Sequence, residues 1–115
     1  MRISSSSIFT DIPVQLPNEF CQTLLDKPNL RIERIVSRGH FTETNAWYDQ
    51  AWDEWVMVLQ GAARLSFKTA PALAMSAGDY VMIPAHCQHR VEWTSPDQDT
   101  VWLAIHIGDS PTSGA

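Results

Sequence analysis

Gly78-Asp79-Tyr80-Val81-Met82-Ile83-Pro84-Ala85-His86-Cys87-Gln88-His89 reads as a turn, a short strand, a second turn and the opening of another strand. Gly78 and Pro84 interrupt regular structure, while Tyr80 to Ile83 between them is β-prone, and a further β-prone run follows from Gln88 to Thr94. The same rhythm extends outward in both directions. Leu30 to Arg38, Glu54 to Gln60, Ala62 to Thr69 and Thr100 to Ile107 all have strand character, with Gly39, Gly61, Pro71 and Ser95-Pro96-Asp97 between them. Short strands at such spacing predict an all-β sandwich or barrel of antiparallel strands.

Within this frame, Ala63, Leu65 and Phe67 alternate with Arg64, Ser66 and Lys68, which predicts one buried and one wet face. Glu54-Trp55-Val56-Met57-Val58-Leu59 is apolar on both faces apart from Glu54, so a central strand covered on both sides is expected. The cover would be a second sheet, a helix or a second subunit. Towards the amino end, Leu16 to Lys27 has Pro17 near its start, apolar residues at 20, 21, 24 and 25, and Pro28 after it, which predicts one short amphipathic N-terminal helix. The ends, Ser4 to Ser7 and Ser110 to Ala115, are small and polar and read as frayed tails. One domain over residues 1–115, with an ordered core of about 8–108, is the expected organisation.

Composition narrows the partners. The 44% apolar and 18% charged residues are those of an ordinary globular chain, and no apolar run approaches a membrane span. A net charge of −5 disfavours nucleic acid and anionic membranes, which need a basic patch. The amino end has neither a signal-peptide nor a transit-peptide pattern, so a cytoplasmic location is expected. Cys21 and Cys87 form no CxxC pair and are expected to be free thiols. Phosphate-binding glycine loops and a nucleophile–base–acid set are both absent from the sequence.

Period-two geometry points Glu54 with Val56 and Val58, and His89 with Val91 and Trp93. If those apolar partners face the interior, a carboxylate and an imidazole meet there. Such a pair is a metal site, an acid and base pair, or a buried structural contact, since buried charge is costly unless paired. His86, His40 and His106 are further imidazoles that the fold could bring to it, with His40 expected in a loop and His106 as a core residue satisfied by backbone. The five tryptophans fit core and interface packing, and one or two would suit the wall of a ligand cavity.

Glu54 followed by Gly61, then Gly78, Pro84 and His89 with their intervening spacing, resembles the two motifs of the cupin superfamily over about Leu30 to Ile107. The resemblance implies a small single-domain, cupin 2-like protein with a conical jelly-roll β-barrel, commonly paired as a homodimer. It also implies an interior metal site formed by a His-x-His pair, a glutamate and a later histidine. Glu54 and His89 occupy the last two places, but Tyr48 and Gln50 stand where the histidine pair is expected. A phenol and an amide are weak ligands beside imidazole.

Two functions follow. In the first, Glu54, His89 and His86 hold a divalent ion (Mn, Fe, Ni or Zn), Gln50 assists cofactor binding, and Tyr48 is a catalytic proton donor. The reaction is then of oxygenase, isomerase or lyase type on a small oxygenated molecule. In the second, Tyr48, Gln50, Glu54 and His89 form a metal-free polar patch that binds or senses a small molecule without catalysis.

Overall fold

The computed structural model describes residues 1–108, and the tail expected from Ser110 onward lies outside them. Eight strands run in chain order: β1 Phe20–Lys27, β2 Leu30–Ser37, β3 Asp53–Gln60, β4 Ala62–Phe67, β5 Leu73–Ser76, β6 Tyr80–Ile83, β7 His89–Thr94 and β8 Thr100–Ile107. They form a five-stranded sheet in the order β1-β2-β8-β3-β6 and a three-stranded sheet in the order β5-β4-β7, all antiparallel. Val56, Val58, Ala63, Leu65, Met75, Ile83, Trp102 and Ala104 meet between the sheets as the core. The fold is therefore the all-β, cupin-like barrel anticipated, and among the described residues no helix is long and apolar enough to cross a membrane.

The expected N-terminal helix is a strand. Phe20–Lys27 pairs with β2 from Phe20↔Val36 to Lys27↔Leu30, and Pro28 with Asn29 at φ 65° makes the two-residue turn between them. A register shift between Thr23 and Leu25 explains the misleading pattern. The extra residue breaks the strict period of two, so apolar residues at 20, 21, 24 and 25 mimic a helical stripe. The same bulge lets Cys21, Thr23 and Asp26 point the same way, towards the interior.

On β4, Ala63 and Leu65 are buried and Arg64 is exposed as expected, but Ser66 is buried too, where its hydroxyl donates to Glu92. The prediction for β3 holds for one face only. Glu54, Val56 and Val58 are buried, whereas Trp55 and Met57 lie half-buried on the outer face beside exposed Tyr80 and Met82. Among the described residues, that face has no second layer.

Candidate functional site

The interior between the sheets encloses a cavity of about 430 Å³. Register decides what faces it. Glu54 pairs with His106 of β8 and Ile83 of β6, and all three point inward. Across the cavity, β7 opens with His89, whose imidazole Nε2 stands 3.6 Å from the Glu54 carboxylate, both side chains being buried. Tyr48 reaches the same place although it lies outside the main strands. Its backbone exchanges hydrogen bonds with His89 in both directions, at 2.8 and 3.1 Å, and the Gln50 carbonyl accepts from the His86 amide at 2.7 Å. This stitching sets Tyr48 and Gln50 in the cavity wall beside His89.

The structure thus brings together Tyr48, Gln50, Glu54 and His89, but not His86. The peptide at His86 has φ 63°, and the ring turns outward to Asp49, with Nδ1 2.9 Å from the carboxylate. At 71% side-chain exposure, His86 is a solvated turn residue, which corrects its place in the expected metal set. His40 is a loop residue, accepting at Nδ1 from the Arg38 amide. His106 does face the cavity, but side chains rather than backbone satisfy it. Trp52 Nε1–H donates to its Nδ1 at 2.7 Å, and its Nε2 lies 2.7 Å from Glu33 Oε1.

The state of His89 follows from its partners. A carbonyl only accepts, so the 2.9 Å contact between Nδ1 and the Cys87 oxygen fixes a proton on Nδ1 and turns Nε2 towards Glu54. Burial pulls the imidazole pKa down, but the Glu54 carboxylate and the Cys87 carbonyl more than offset this and raise it above its ordinary 6.5. The folded state therefore binds this proton more tightly than the unfolded chain does. The resulting stabilisation is fully present below pH 6.5 and is lost as pH rises through the folded value. Denaturant unfolding of wild type and His89→Gln, measured below and above that range, should show a stability difference that shrinks as pH rises. A pH-independent difference would contradict it.

Two further groups have settled states. Burial and the Glu19 charge raise the Tyr48 pKa, so the phenol keeps its proton and serves as a donor. Burial and nearby carboxylates push the Cys21 thiol up to about 11, which makes it a poor nucleophile and a poor metal ligand.

The donor set can now be weighed against the metal that the cupin resemblance implies. Glu54 and His89 are two strong ligands, and the rest of the wall adds only a protonated phenol and an amide. His106 has no free lone pair, because Nδ1 accepts from Trp52 and Nε2 carries the proton that Glu33 receives. Among the described residues, no group of three His, Cys, Asp or Glu side chains converges as a metal site. These residues do not fit a divalent metal centre of the usual kind.

Glu33 and Glu19 do not stand out in the sequence, and Trp52 stands there only as one of five tryptophans suited to packing or a cavity wall, not as the donor to His106. Glu33 shares the inward face of β2 with Ile35, a period-two signal that gains meaning only once β1 pairs beside β2 as a strand.

Comparison with known proteins agrees with this architecture. The family model described as a cupin domain matches residues 36–106. No curated protein matches the chain. Among solved structures, a protein of Ralstonia eutropha JMP134 named a "putative mannose-6-phosphate isomerase" is 42% identical, with a TM-score of 0.87 over 91% of this chain and 98% of that one. A cupin superfamily protein from Desulfitobacterium hafniense DCB-2 is 19% identical, with a TM-score of 0.70 over 85% of this chain and 84% of that one. The DMSP lyase DddQ from Ruegeria pomeroyi DSS-3 is 18% identical, with a TM-score of 0.69 over 84% and 49% of the two chains. The last two are similar in fold alone.

Proposed function

Because this chain belongs to the cupin family, whose domain it carries over residues 36–106, we propose that its cavity binds a small oxygenated molecule and moves a proton on it in an isomerase-type step. The observation that carries this reading is His89 Nε2, held facing Glu54 at 3.6 Å inside the cavity by the bond from Nδ1 to Cys87. A carboxylate and an imidazole so placed form an acid and base pair. Glu54 takes a proton from a carbon next to a carbonyl, and the electron pair of that C–H bond moves to the carbonyl oxygen. Protonated His89 supplies that oxygen with a proton, giving an enediol when the first carbon bears a hydroxyl. His89, now neutral, takes the proton of that hydroxyl, its electron pair forms the new carbonyl, and the double-bond pair takes the proton back from Glu54 at the former carbonyl carbon. Tyr48 and Gln50 orient the molecule, the phenol by donating a hydrogen bond and the amide by donating or accepting. No redox change is needed, and no step passes through a metal.

The isomerase name of the 42% identical Ralstonia protein is consistent with this class of reaction and does not define the substrate. Thermal-shift screening of sugars and hydroxy acids, followed by incubation of the hits in heavy water, tests the proposal. Saturating ligand at a hundred times Kd should stabilise the fold by about 2.7 kcal/mol. Solvent deuterium should then enter the bound molecule with wild type and not with Glu54→Gln or His89→Gln. Hits that bind all three proteins equally and exchange no hydrogen would refute it.

We also propose that a second copy of the chain covers the outer face of β3, β6 and β8. Trp55 and Tyr80 stack there with ring centroids 5.4 Å apart, next to Met57, Met82, Leu103 and Ile105. So continuous an apolar surface on one sheet supports self-association. Light scattering should give a dimer for wild type and a folded monomer for Trp55→Glu, and a monomeric wild type would exclude it.

A further inference from the structure

The cavity has a second pole, away from the Glu54–His89 pair. Trp52 Nε1–H is a donor only, so His106 Nδ1 must accept its 2.7 Å bond and the imidazole proton must sit on Nε2. That proton is donated to Glu33 Oε1, also at 2.7 Å. His106 is buried, so this Trp52–His106–Glu33 chain is rigid and pins one carboxylate oxygen. The other oxygen, Oε2, receives no hydrogen bond from it. Arg31 Nε makes a long ion pair with Oε2 at 3.8 Å, too far for a hydrogen bond, and that Nε has no hydrogen-bond partner, so Oε2 keeps its lone pairs for a ligand donor. Glu33 therefore presents a fixed acceptor to the cavity.

The charge around it has one sign. Among the described residues, Glu19, Asp26, Glu33 and Glu54 face the cavity against Arg31 as the only Lys or Arg side chain. Even with His89 counted as a cation beside Arg31, the four carboxylates outnumber the two positive groups. A phosphorylated ligand would meet this negative field at a direct cost, whereas an ammonium group would be drawn to it.

We propose that Glu33 is a specificity-determining residue that receives an ammonium group of the ligand, with His106 and Trp52 as its positioning residues, so that the cavity takes amine-bearing rather than phosphorylated molecules. This rests on the small-molecule reading of the same cavity, and it adds the class of the molecule.

Three probes of one shape, n-butylammonium, 1-butanol and butyrate, test it by NMR titration of wild type, followed at the Trp52 indole N–H and the His106 ring nitrogens. Butylammonium should bind at least tenfold more tightly than butanol, and butyrate most weakly. In Glu33→Gln the preference for butylammonium over butanol should vanish. In Trp52→Phe, His106 should lose its single tautomer, seen in its nitrogen shifts, and the preference should fall with it. Equal binding of butanol and butylammonium, or tighter binding of butyrate, overturns the role of Glu33 while leaving the cavity as a binding site. If none of the probes shifts any cavity resonance, the small-molecule reading fails as well. The wild-type comparison needs no variant, so a poorly folding substitution would not shield the proposal.

Discussion

Replacing Gly61 with alanine is expected to destabilise the fold by about 3–5 kcal/mol, the sum of backbone strain and overpacking. Gly61 joins β3 to β4 with φ 94°, in the left-handed region where a side chain is strained. A Cβ there would lie 2.7 Å from the Thr100 Cα and 2.9 Å from the Asp99 carbonyl oxygen, and would also collide with Thr100 Oγ1. Neither backbone atom can step aside. Thr100 is fully buried, and its hydroxyl donates to the Ala62 carbonyl, while the Asp99 carbonyl accepts from Gln60. Relief therefore requires moving the start of β8, the strand that carries Trp102 and His106 into the cavity.

Gly78 supplies the control. Its φ is 96°, nearly that of Gly61, but nothing lies within 4 Å of the position a Cβ would take. Gly78→Ala should therefore show the conformational cost alone, about 1–3 kcal/mol. Urea unfolding of the two variants separates strain from close approach, and equal losses would show that Gly61 is not pressed against β8.

These two glycines, with Pro84, Glu54 and His89, are the residues by which the sequence pointed to a cupin-like barrel. They were legible because each answers to a local rule, whether a turn, a left-handed peptide or an inward position on a strand. Six of the eight strands announced themselves in the same way. β1 did not, because the bulge at Thr23 to Leu25 gave it a helical spacing and only pairing with β2 reveals it. β5, only Leu73–Ser76, is too short to carry a pattern of its own. The candidate site was legible to the same extent. Glu54 and His89 could be oriented from their own strands, but His86 could not, because its outward turn depends on the left-handed peptide and on Asp49 across the loop. The Trp52–His106–Glu33 chain joins three separate segments, and only the register of β2 against β8 makes it visible.

If the Glu54–His89 pair works on protons, as proposed, rather than holding a metal, the two roles differ most in metal retention. First-row metals are retained through several strong, deprotonated donors, and their affinity is lost when such donors are lacking. Two are present. The Tyr48 phenol is held protonated, His106 spends both nitrogens on Trp52 and Glu33, and His86 faces Asp49 outside the cavity.

Metal content of untagged protein by plasma mass spectrometry, with and without prior incubation in Mn, Fe, Ni or Zn salts, is therefore the most direct test. After dialysis the protein should carry far less than one equivalent per chain, with Glu54→Ala and His89→Ala no different from wild type. Near-stoichiometric metal in wild type that disappears in both variants would make Glu54 and His89 metal ligands and overturn their proton-transfer role.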